Sequence, residues 1–234
     1  MLFEVKEIDR KFYEERIRGF LPQTLIDIHT HIWLDSFISE KKNISLRTVT
    51  WPGLVAKDNS IEDLLETYRL MFPGKQVTPM IFSTPQVDDN LNHGNEYVRS
   101  CAQKNSLPSL ILACPRWSSD EFEEKILTGR FLGAKVYLNF SEPYIPRQEI
   151  RIFDFLPSHQ LKVIDKHGWI VMLHIPRDKR LKDPVNLAQM VEIEHNYPNI
   201  KLIIAHVGRA YCSEDVGEAF TTLANTKKQN PSSI

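Results

Sequence analysis

Leu25-Ile26-Asp27-Ile28 runs directly into His29-Thr30-His31, and this stretch decides how the rest of the chain is read. Apolar residues suited to a buried strand end on two histidines two positions apart. In a strand, residues i and i+2 point to the same face, so His29 and His31 project together from the strand end. Two imidazoles placed side by side can share one metal ion. Taken alone the pair is weak, because two ordinary histidines at a strand end give the same pattern.

Working outward, the same grammar repeats. Apolar runs at residues 77–82, 109–113, 132–138, 169–173 and 200–205 read as further strands. Between and after them, residues 60–72, 96–104, 119–127, 155–166, 185–196 and 213–224 read as helices. Short apolar strands alternating with helices predict βα units and a parallel sheet buried on both faces. Residues 5–20 predict an amphipathic leading helix, with Phe12, Ile17 and Phe20 on its packed side. Residues 33–59 have no period and contain Trp51-Pro52-Gly53, so a long loop is expected there. No strand runs into a G-x-G-x-x-G turn, which argues against a dinucleotide-binding fold. A (β/α)₈ barrel needs about 250 residues. The expectation is therefore one α/β domain over residues 1–234, a TIM-type (β/α) barrel with about six of its eight units. The polar tail, residues 225–234, reads as a chain that stops short of the last two.

Composition agrees with a soluble globular protein: 234 residues, 42% hydrophobic and 25% charged. The formal net charge of −1 gives no general attraction to nucleic acid or anionic membrane. No apolar run reaches the roughly 18 residues of a membrane span. The charged N-terminus has no secretory h-region. The three cysteines, Cys101, Cys114 and Cys212, are widely spaced, which favours a reducing cytoplasm over a disulfide framework.

Two more histidines raise the weight of the first pair. His174 directly follows Ile170-Val171-Met172-Leu173, and His206 directly follows Leu202-Ile203-Ile204-Ala205. Each closes an apolar strand at its C-terminal end, where (β/α) barrels build their active sites. Neutral imidazole ligates zinc, iron and nickel. His93, His159, His167 and His195 fall in predicted helices or beside turns and read as surface residues.

With these residues in place, the chain resembles the amidohydrolase superfamily, in the branch often called amidohydrolase family 2. The motifs are Ile26-Asp27-Ile28-His29-Thr30-His31, Gly133-Ala134-Lys135-Val136-Tyr137, Met172-Leu173-His174 and Ile204-Ala205-His206-Val207-Gly208. The resemblance runs from about residue 25 to 220. It implies that His29, His31, His174 and His206 are metal ligands. His174 and His206 would also orient water and substrate in catalysis. Lys135 falls where some members carry a carboxylated lysine that bridges two metals. The implied cofactor is one divalent metal ion, zinc foremost, or two if Lys135 is carboxylated. The family's usual base is an aspartate at the end of strand 8, and no residue here matches it, since Asp183 and Asp215 lie in a loop and a helix start. A truncated and catalytically impaired barrel is one expectation on that ground.

Arg116, Arg177 and Arg209 follow the third, fifth and sixth strands and are candidates for binding a carboxylate or phosphate on the substrate. Asp27 could accept from an imidazole N–H. Trp33, Trp51 and Trp117 could line a pocket or simply pack loops. The function implied is hydrolysis of a C–N or C–O bond in a small, anionic substrate through a metal-activated water. Non-oxidative decarboxylation of an aromatic or unsaturated acid is the alternative on the same scaffold. The expected partner is a small molecule, not nucleic acid or membrane, with homo-oligomer formation left open.

Overall fold

The computed structural model describes residues 2–37, 56–85, 89–210 and 216–228. The chain divides into two compact units, residues 1–40 with 50–109 and residues 41–49 with 110–234. Trp51, Cys212, Asp215 and the end of the polar tail lie outside the described residues.

The first unit opens with α1 (Glu7–Phe12), which continues as a π-helical turn over Tyr13–Ile17. The predicted helix is present, but its packed face is not the expected one. Phe12 and Phe20 are exposed, while Tyr13 is buried and its hydroxyl donates to the Pro73 carbonyl at 3.0 Å. The π turn shifts the register of the face, so the residue that docks is the one with a polar handle to satisfy.

β1 (Thr24–His31) pairs in parallel with β2 (Gln76–Phe82). Between them lies α2 (Ile61–Met71). Its start is closed by a capping box, in which the Ser60 hydroxyl accepts from the Asp63 amide and the Asp63 carboxylate accepts from the Ser60 amide. α3 (Asp89–Asn105) follows and packs on β2. The core here is Leu64, Tyr68, Met80, Ile81, Phe82 and Val98. β1 departs from the expectation of a strand covered on both faces: Ile26 is 73% exposed and Ile28 46%. Among the described residues β1 has a single ladder neighbour, and its far edge is not covered.

The second unit holds a four-stranded sheet, β3 (Ile111–Leu112), β4 (Gly133–Val136), β5 (Ile170–Leu173) and β6 (Lys201–Ile204). The strands lie in sequence order and every pair is parallel. That is the order of a singly wound βα array, in which each connection advances by one strand. The helices are α4 (Ser119–Gly129), α5 (Ser158–His167), α6 (Pro184–Asn196) and α7 (Ala219–Lys228). α4 starts on the Ser118 cap and α6 on the Asp183 cap with proline in its first turn. Ala134, Val136, Val171, Met172 and Leu173 are fully buried, as a central parallel sheet requires.

The β4–β5 contact depends on Gly133. Its φ is +149°, and an added Cβ would sit 2.0 Å from the Ile170 carbonyl oxygen. No other residue allows the two backbones this close.

Candidate metal centre

In the first unit, strand periodicity delivers the His29–His31 pair as the sequence predicts. Their ring centroids are 5.5 Å apart. Both rings stand edge-on to the fully buried Phe82, His29 at 5.2 Å and His31 at 4.6 Å, so Phe82 sets the spread between them. His31 Nδ1 lies 2.9 Å from the Ser83 carbonyl. A carbonyl can only accept, so Nδ1 carries a proton, and in the neutral ring Nε2 is then the nitrogen with a lone pair for a metal. The Asn59 side-chain amide donates to the His31 carbonyl at 2.6 Å and holds the strand end.

Asp27 takes a different place from the one expected. Its carboxylate accepts from the His29 backbone N–H at 3.1 Å and from the Tyr68 hydroxyl at 2.9 Å, not from an imidazole. The β1–β2 register shifts by one residue between Asp27 and Thr30. Burial, and then the neighbouring Asp27 charge, push the Tyr68 hydroxyl pKa well up, so Tyr68 stays a donor.

In the second unit, His174 and His206 close β5 and β6. Their rings stack at 4.9 Å with 16° between the planes. Each offers a nitrogen, and these nitrogens lie within 4.8 Å of one another. Zinc–imidazole bonds of about 2.0–2.1 Å hold two ligand nitrogens no more than roughly 4.2 Å apart, so nitrogens within 4.8 Å are near the spacing that one ion requires. Although solvent reaches His206, burial lowers its pKa below the ordinary value, and the Lys135 and Arg209 charges lower it further. A neutral imidazole is the ligating form, so the donor set fits a divalent ion.

Lys135 sits on β4 with no exposed surface. Its Nζ is 4.9 Å from the centroid of the Tyr137 ring. Desolvation lowers its pKa well below the usual lysine value. Tyr137 in turn stands edge-on to His174, with centroids 4.7 Å apart. Tyr137 is buried, and its proximity to both groups is not visible in the sequence pattern, because it follows from β4 turning into the short helical turn Leu138–Phe140.

The polypeptide after β6 is unusual. His206, Val207, Gly208 and Arg209 all have positive φ, at +53°, +52°, +65° and +58°. Four successive left-handed residues form one left-handed turn. Each non-glycine member costs roughly 1–2 kcal/mol, and a β-branched valine is the least expected of them. Strain of this size persists only where surrounding contacts over-determine it, and such places cluster at functional sites.

The candidate arginines are placed unequally. Arg177 directs its Nε to the Asp183 carboxylate at 2.9 Å, and that carboxylate is nearly buried. It therefore anchors the loop after β5, whatever its remaining nitrogens contact. Arg116 is exposed, and Arg209 is half-buried beside His206. Trp33 donates to the Lys57 carbonyl, and Trp117 is buried with Lys125 over its ring, so both pack loops. His93, His167 and His195 are exposed, as expected, while His159 is half-buried on the Trp117 carbonyl. Cys101 and Cys114 are buried and unpaired to each other.

Parallel βα units in sequence order are the framework of the (β/α)-barrel class, and histidines at the strand ends are groups that can hold a metal. Residues 26–228 match the Amidohydrolase family, and the chain belongs to that family, whose fold is the TIM barrel. A crystal structure of 4-oxalomesaconate hydratase from Rhodopseudomonas palustris is similar at a TM-score of 0.49 and 14% identity, over 88% of this chain and 67% of that one. Comparison with curated proteins gave no match. No described helix is long and apolar enough to cross a membrane.

Proposed function

We propose that the chain is a metal-dependent hydrolase acting on a C–N or C–O bond of a small anionic substrate, with His29, His31, His174 and His206 as the ligands of one divalent ion. Zinc is the preferred ion. The observation that carries the reading is the stacked His174–His206 pair, with its nitrogens within 4.8 Å, at the ends of two adjacent parallel strands. Family membership supports pairing it with His29 and His31.

A divalent ion in this setting supplies Lewis acidity, lowering the pKa of water and polarising a carbonyl. The residues of the chain supply the rest. His31 is held as a ligand by the Ser83 carbonyl on its other nitrogen. His174 is oriented by the edge of Tyr137. His206 is kept neutral and, with His174, orients water and substrate. Arg209 and Arg116 offer charge to an anionic group, and Arg177 adds to this beside its ion pair with Asp183. Desolvation lowers the Lys135 pKa well below the usual lysine value and so favours the uncharged amine, the form that reacts with CO₂ as a two-metal variant of the site requires.

The test is turnover of chelator-stripped and zinc-reloaded protein on a panel of small anionic amides and esters. Metal-dependent release of amine or alcohol is the expected result. Release of CO₂ from unsaturated or aromatic acids would replace hydrolysis with the lyase reaction. Metal-independent turnover would overturn the reading.

A further inference from the structure

The left-handed turn at residues 206–209 needs an outside support, and the loop after β5 provides one. Gly208 is buried against Leu181, and a Cβ at Gly208 would meet the Leu181 Cβ and Cδ1 at 3.0 Å. Beside this contact the Arg180 guanidinium donates from Nη1 to the Arg209 carbonyl at 3.1 Å, across 29 positions of sequence. Arg180 and Leu181 belong to a short helical turn, Arg180–Lys182, that is itself pinned. The fully buried Asn186 side-chain amide donates to the Pro176 and Arg180 carbonyls, both at 2.8 Å. Asp183, at the end of the turn, caps α6 through the Val185 amide and pairs with Arg177. A loop held by these bonds, with left-handed residues of its own at Arg177 and Arg180, thus presses on one side of a strained turn that begins at His206.

We propose that Arg180 is a positioning residue for His206: its bond to the Arg209 carbonyl holds the left-handed turn closed on the β5 loop and so fixes the imidazole. Without that bond, His206, Val207 and Arg209 have right-handed conformations of lower energy within reach. Relaxing into them swings the imidazole away from its place on His174. The consequence for metal binding rests on the function proposed above, whereas the clamp itself does not.

Two variants and two readouts separate the possibilities. Arg180→Met keeps the stem and removes the donors, and Arg180→Lys keeps a charge and a donor. In metal-free protein, amide hydrogen exchange is followed at Gly208 and Ala210, whose N–H groups bond to the Ala205 and Val207 carbonyls. Cobalt affinity is measured in parallel by its absorption spectrum. Arg180→Met is expected to speed exchange at Gly208 and Ala210, leave Val171 and Met172 in β5 unchanged, and weaken cobalt binding about ten-fold, the low end for losing a support behind a metal ligand. Arg180→Lys should retain most of both. Unchanged exchange at Gly208 and Ala210 overturns the proposal. So does faster exchange throughout β5, which marks a general loss of stability. Faster exchange confined to the turn with unchanged cobalt affinity leaves the clamp standing and removes His206 from the ligand set. His206→Ala, which would then also bind cobalt normally, confirms that outcome.

Discussion

The two histidine pairs are held by opposite means. His29 and His31 ride on one strand, and its two-residue period puts them on the same side. Phe82 separates their rings, and the bonds to Ser83 and Asn59 only refine the placement. His174 and His206 come from two strands, and His206 begins a left-handed turn that the backbone disfavours. That pair exists because a neighbouring loop, stitched by Asn186, Asp183 and Arg180, holds it. A pair built on periodicity tolerates changes in its surroundings, whereas a pair built on a strained turn depends on residues that touch neither ring.

The largest expected effect comes from breaking the second unit beneath its pair. Gly133→Ala forces a methyl group into the Ile170 backbone. It should cost more than about 4 kcal/mol of unfolding free energy, and chemical denaturation would register it as loss of the folded transition. An Ala variant as stable as wild type would remove the claim that β4 and β5 need this approach.

A sharper contrast comes from two asparagines. Asn186→Ala strips bonds from two carbonyls and empties a fully buried position, with an expected loss of about 2–3 kcal/mol. His174 and His206 ring resonances should shift while those of His29 and His31 stay in place. Asn59→Ala removes one bond at the end of β1 and should cost about 1 kcal/mol, the ordinary worth of a single hydrogen bond. Equal losses in the two variants would mean that both pairs are supported alike.

The smallest effect belongs to the surface of the second unit. The Glu123 carboxylate accepts from Lys166 at 2.8 Å and from His167, tying α4 to α5. Lys166, then His167, hold the Glu123 pKa below the usual carboxylate range. A carboxyl whose folded pKa is depressed stabilises the fold above its ordinary pKa and loses that contribution as pH falls through the folded value. Glu123→Gln should therefore lower the melting temperature slightly at neutral pH, and by less as the pH falls through the folded pKa. A gap that widens on acidification would contradict this sign.

The same contrast explains what the sequence reveals. The strands and the four histidines are legible because each is a local pattern: a short apolar run ending on His29, His174 or His206, with a two-residue repeat to His31. The capping residues Ser60, Ser118 and Asp183 are equally local. The left-handed turn is not legible, since His-Val-Gly-Arg has no intrinsic reason to adopt four positive φ angles. Its conformation is imposed by Leu181 and Arg180, on a different loop. Asp27 misleads for a related reason, because its partner Tyr68 lies 41 positions away on α2. Lys135 stands out in the motif, but its complete burial beside Tyr137 follows from packing. The pairing of Arg177 with the nearly buried Asp183 is likewise a contact that packing, not local pattern, creates.

The most direct measurement is the metal content of purified wild-type protein against two double variants, His29→Ala/His31→Ala and His174→Ala/His206→Ala. If the two pairs serve one ion, wild type carries close to one equivalent and each double variant loses most of it, with the fold retained by circular dichroism. A full equivalent in either folded double variant would show that the pairs do not share a metal and would contradict the site.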